Sequence, residues 1–125
     1  MKKRIISVAL TLSIMLLCVI GVYAYQVDKY NGTVGSYSCY GTLWTISSTS
    51  MGATTSVDSS ASVSSNTTSI TVRSGGFDPV KETNGPYASN EVDVTASIGG
   101  TIYSATGTHS ITLKTGDSWS GDTFY

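Results

Sequence analysis

The sequence predicts an all-β protein, a small single-domain antiparallel β-sandwich or small barrel, preceded by an N-terminal signal-peptide helix. Three observations carry the fold class. Segments of strand length alternate apolar and polar residues, clusters of Gly, Asn and Ser separate them, and no stretch beyond residue 24 has a helical period. Composition agrees: beyond residue 24, serine and threonine supply 36 of 101 residues, alongside seven tyrosines, two tryptophans and regularly spaced Val and Ile. Thr, Tyr, Val, Ile and Trp suit a pleated, half-buried surface. A Ser/Thr bias of this size also marks disordered or O-glycosylated stalks. Here only Pro79 and Pro86 interrupt the chain, and the apolar residues give it something to bury.

The chain opens with Met1-Lys2-Lys3-Arg4, continues through an apolar run from Ile5 to Ile20, and reaches Gly21, Val22, Tyr23 and Ala24. A positive n-region, an apolar h-region and a small residue at the cut site are the layout of a secretory signal peptide. Residues 1–24 are therefore expected to be the signal and 25–125 the secreted domain, extracellular or associated with the cell envelope. Uncut, Ile5 to Ala24 is just long enough to serve as a membrane anchor. Leu17 stands where a lipidation signal needs a small residue, so Cys18 reads as part of the apolar run. The short Lys-rich n-region fits a bacterial, Gram-positive source.

Removing residues 1–24 takes away three of seven cations and none of eight acids, which moves the formal charge from −1 to −4. Four scattered cations on an acidic domain make no footprint for nucleic acid, nor for an anionic membrane after signal cleavage. The remaining length allows one domain with one modest core. Cys39 is the lone cysteine left, so no intramolecular disulfide can form. A buried thiol, a free thiol and a disulfide-linked dimer through Cys39 all stay open.

In chain order, Asn31-Gly32 is a turn signal, and Tyr37 to Ile46 reads as a strand with apolar residues on both faces. Met51 to Val63 alternates over thirteen residues, longer than a usual strand, so a bend is expected near Asp58 to Ser60. Ser64 to Thr67 reads as a turn, with a return strand through Ile70 and Val72. Ser74 to Pro86 is rich in Gly, Asp-Pro and Asn-Gly and reads as a loop or an edge-hugging connection. Val92, Val94, Ala96 and Ile98 alternate with polar residues up to Gly99-Gly100, a pair suited to a two-residue hairpin turn. The return strand, Thr101 to Leu113, would place Tyr103, Ala105, His109, Ile111 and Leu113 on the valine face. Thr115 to Asp117 is a turn, and Trp119 to Tyr125 a short aromatic strand. Val57 to Val63 echoes Val92 to Ile98, which a duplication would explain.

Chemistry-bearing residues are few. Cys39 and His109 would form a thiol–imidazole dyad only if adjacent in a cleft with a third group orienting the ring. Gly116-Asp117-Ser118 resembles a hydrolase serine turn but lacks the strand–turn–helix setting such a nucleophile needs. Asp58, Asp93, Asp117 and Asp122 are candidate calcium ligands without a dense ligand ladder, and one histidine with one cysteine cannot build zinc's usual N/S set. No cofactor and no metal are expected.

The aromatics carry more. Tyr87, Trp119, Phe124 and Tyr125, on turns or edges, could form a platform for sugar rings or an anchor for an envelope or extracellular protein. Thr108-His109-Ser110 with a short aromatic C-terminus resembles the ends of small secreted β-sandwich bacteriocins of the lactococcin type, over about a sixth of the chain. The expectation is a secreted, non-enzymatic protein acting by binding. A bacteriocin-like antagonist is the alternative, and a small hydrolase the second alternative.

Overall fold

The computed structural model describes residues 24–125, and the signal-peptide helix lies outside them. Eight strands follow in order: β1 (Tyr25–Val34), β2 (Tyr37–Ser47), β3 (Ser50–Val57), β4 (Val63–Ser74), β5 (Val80–Tyr87), β6 (Glu91–Ser97), β7 (Ile102–Leu113) and β8 (Ser118–Phe124). They form two four-stranded antiparallel sheets, β1-β2-β3-β6 and β5-β4-β7-β8. The chain crosses between sheets three times, at β3–β4, β5–β6 and β6–β7.

Inward-facing side chains of both sheets build the core. Leu43, Met51 and Ala53 of the first sheet meet Ile70, Val72 and Ala105 of the second in one buried cluster. Val34, Cys39 and Val57 meet Ile111 and Leu113 in another. Each large apolar side chain so buried contributes roughly 1.5–3 kcal/mol. Edge strands β1 and β8 lie alongside one another, joined by the Phe124 N–H donating to Asp28 Oδ2 at 2.8 Å. At the opposite edges, Asn84 Nδ2 donates to the Asp93 carbonyl at 2.7 Å, tying β5 to β6.

Several local expectations are corrected. The Gly99-Gly100 hairpin does not form, because β6 pairs with β3 (Ala53 opposite Val94) and β7 with β4 (Thr68 opposite His109). A two-residue hairpin turn needs positive φ, and neither glycine has it; the Phe77 ring lies against both instead. Ala105, His109, Ile111 and Leu113 do face inward. Tyr103 does not. It is the extra residue where the β4–β7 pairing shifts, and 66% of it is exposed.

The long run from Met51 is cut at Asp58, whose Oδ1 accepts the Ser60 N–H at 2.9 Å and the Ser60 hydroxyl at 2.6 Å. Asn90 Nδ2 staples this crossing by donating to the Asp58 and Ala61 carbonyls. Ser64 to Thr67 consequently lies inside β4 rather than in a turn. Asn31-Gly32 lies inside β1, and the β1–β2 turn uses Gly35 at φ +58°. Val80 to Tyr87 is an edge strand, where Pro86 is tolerated because no neighbour needs its missing N–H. The two echoed segments are not equivalent: Val57 to Val63 is a crossing loop with its flanks, while Val92 to Ile98 is β6 and its exit.

Candidate functional site

Alternation in β7 turns His109 inward, and Gly41 opposite it leaves room for the imidazole, which lies where a Cβ of residue 41 would be. His109 is wholly buried, with Nδ1 at 2.8 Å from Thr55 Oγ1 and Nε2 at 2.9 Å from Thr123 Oγ1. Thr68 Oγ1 lies 2.6 Å from Thr55 Oγ1 and 2.8 Å from the Val92 carbonyl. A hydroxyl has one proton and the carbonyl can only accept, so Thr68 donates to Val92. Thr55 then donates to Thr68, His109 Nδ1–H to Thr55, and the Thr123 hydroxyl to Nε2. This assignment of the tautomer follows from the network. The resulting line crosses repeatedly between the sheets and leaves the ring neutral. Burial pushes the His109 pKa down to about 4, with the Asp122 and Asp28 carboxylates pulling partly back.

Both imidazole nitrogens are thereby occupied, so none is left to activate a thiol. Cys39 is 2% exposed, and burial raises its pKa. A disulfide-linked dimer through Cys39 would need the core to open. Gly116 (φ +92°) makes Thr115 to Asp117 a tight turn, closed by the Gly116 N–H on the Leu113 carbonyl. The candidate calcium ligands stand apart: Asp58 holds Ser60, Asp93 accepts the Thr54 hydroxyl at 2.6 Å, and Asp117 accepts the Thr115 hydroxyl at 2.8 Å. Among the described residues no three His, Cys, Asp or Glu side chains gather around a metal-sized space.

The four aromatic candidates do not share a platform. Trp119 is half-buried over Gly32, stacked on Tyr30 with ring centroids 5.9 Å apart, and covers the flank between β1 and β8. Tyr87 sits on β5 and Phe124 on β8, the two outermost strands of the second sheet, with β4 and β7 between them. Trp44, absent from that set, lies on Gly52 on the outer face of the first sheet and donates Nε1–H to Thr54 at 3.1 Å.

Tyr125 has a different setting. Its N–H and C=O exchange hydrogen bonds with Ala105 at 2.9 and 3.0 Å, which puts its side chain in the inward phase of the second sheet. Tyr25, opposite Thr45 on β2, has the inward phase of the first. Between these two half-exposed tyrosines a cleft of about 420 Å³ opens at the end of the molecule. Met51 and Ile102 line it as buried apolar residues, and Ser47, Ser48 and Thr101 line it with hydroxyls. The wall is held by backbone bonds across the sheets, Ile102 N–H to the Ser48 carbonyl at 2.8 Å and Ile98 N–H to the Thr49 carbonyl at 3.0 Å.

No family model, curated protein or solved structure matches this chain. The function must therefore be argued from this geometry.

One further observation singles out the cleft. Among the described residues, the buried side-chain polar atoms without a partner are Thr45 Oγ1 and Asn66 Oδ1. Asn66 still anchors its amide group on the Thr55 and Ser89 carbonyls. Thr45 lines the cleft with its hydroxyl unmet. No local pattern could have announced this site, because Tyr25, Thr45 and Tyr125 come from the two ends of the chain and from a central strand.

Proposed function

We propose that the chain is a secreted β-sandwich module that acts by binding rather than catalysis, at the cell envelope or in the medium, with the end cleft as its ligand seat. The observation that carries this reading is the cleft itself: a cavity between the sheets with exposed tyrosines at its mouth and an unpartnered hydroxyl in its wall. Its volume falls in the range of about 300–1,000 Å³ usual for ligand clefts, and its apolar floor with a few polar groups is the usual lining. Export is supported by the Lys-Lys-Arg start, the apolar run and Ala24. The engagement of both His109 nitrogens by threonines supports binding over thiol chemistry.

The test is capture by the immobilised chain from cell-wall glycans and envelope proteins, in parallel with the Tyr25→Ala/Tyr125→Ala double variant. A partner retained by the native chain and lost by the variant is expected. Absence of any partner, or equal capture by both, would refute the reading.

A further inference from the structure

We infer that the end cleft takes an uncharged, hydroxyl-rich ring, a neutral sugar residue of a glycan; this rests on the binding role proposed above for the same cleft. The lining carries no Asp, Glu, Lys, Arg or His. An anion or cation entering the cleft would shed water and meet no counter-charge, which is strongly unfavourable. A purely apolar molecule fares poorly for the opposite reason. It would cover the hydroxyls of Ser47, Ser48 and Thr101 and leave the Thr45 hydroxyl unmet.

A neutral sugar satisfies both demands. Its C–H face is weakly positive and suits the electron-rich faces of Tyr25 and Tyr125, which stand 58% and 51% exposed at the mouth. Its rim of hydroxyls both donates and accepts, as the serine and threonine hydroxyls of the lining do. Met51 and Ile102 offer the remaining apolar contact, each 95% buried or more, since only 1% and 5% of them are exposed. The Thr45 hydroxyl, 8% exposed as a residue and without a partner, is the group a sugar hydroxyl would complete. The cross-sheet bonds from Ile98 and Ile102 hold this wall before any ligand arrives, which reduces the ordering cost of binding.

The experiment is amide NMR titration of the ¹⁵N-labelled chain with three probe sets: neutral oligomers of glucose and N-acetylglucosamine, heparin-derived acidic oligosaccharides, and indole as an apolar ring. Saturable shifts at Ser47, Ser48 and Thr101 with a neutral oligomer are expected. Tyr25→Ala and Tyr125→Ala should each weaken that binding by about tenfold, since stacking contributes on the order of one tenfold step. Both tyrosines are exposed by half or more, so neither substitution threatens the core. Saturation by the acidic oligosaccharides or by indole, with neutral oligomers silent, would overturn the sugar assignment and leave the cleft a binding site. Silence from all three probe sets would overturn both.

Discussion

The middle of the molecule and its open end hide the same kind of group and treat it in opposite ways. In the middle, Thr123, His109, Thr55 and Thr68 pass hydrogen bonds along one line to the Val92 carbonyl, and every proton has an acceptor. At the end, the Thr45 hydroxyl is as well hidden and has no partner, beside a cavity. A bonded buried hydroxyl is close to neutral or favourable, whereas an unbonded one costs about 1–3 kcal/mol. The same residue type therefore stabilises the fold in one place and stands ready for a ligand in the other.

The largest effect that could break this contrast is expected from Thr55→Val. The change keeps the shape but leaves the His109 Nδ1–H without an acceptor. Stability by chemical denaturation should fall by about 2 kcal/mol. A loss under about 0.5 kcal/mol would mean that the line is not continuous through Thr55.

Acid offers a second test of the middle. His109 has a pKa of about 4 when folded, and an unfolded histidine titrates near 6.5. Below pH 6.5 the unfolded chain takes the proton first, so stability is level above that pH and declines as pH falls towards 4. The slope reaches at most about 1.4 kcal/mol per pH unit. Between pH 6.5 and 5, before most carboxylates titrate, His109→Gln should flatten the decline. An unchanged slope in that variant would place the titrating group elsewhere.

The smallest effect should have the opposite sign. Thr45→Val removes a hydroxyl with no partner, so stability should rise by up to about 1 kcal/mol, read from the same denaturation curves. Equal losses from Thr55→Val and Thr45→Val would erase the contrast between middle and end.

Much of the fold was legible because alternation reports which way a side chain faces. It placed Val92, Val94 and Ala96 inward on one strand and His109, Ile111 and Leu113 inward on another. Alternation does not report which strand is the neighbour, and two sheets facing each other offer inward strands two homes. That ambiguity is why β6 and β7 read as a hairpin when they belong to different sheets. The break at Asp58 was visible as an Asp two residues before a Ser, a local pairing of side chain and backbone. At the candidate site, Tyr125 alone of the four aromatics lines the cleft. Tyr25 and Thr45 were out of reach, since the cleft exists only where the two sheets are stacked.

The glycines have a consequence beyond leaving room. Trp119 lies on Gly32, His109 on Gly41, Trp44 on Gly52, Phe77 on Gly99 and Gly100, and Tyr30 on Gly121. Strands built so heavily of serine and threonine are chemically monotonous, and sliding one by two residues would preserve nearly every inside and outside position. Such strands are prone to slippage. Each ring needs a neighbour without a Cβ, and a slipped strand would offer it a threonine, serine or valine instead. The rings thus act as keys in five sockets, within the first sheet and across to the second, and they single out one alignment from many that polarity alone would accept.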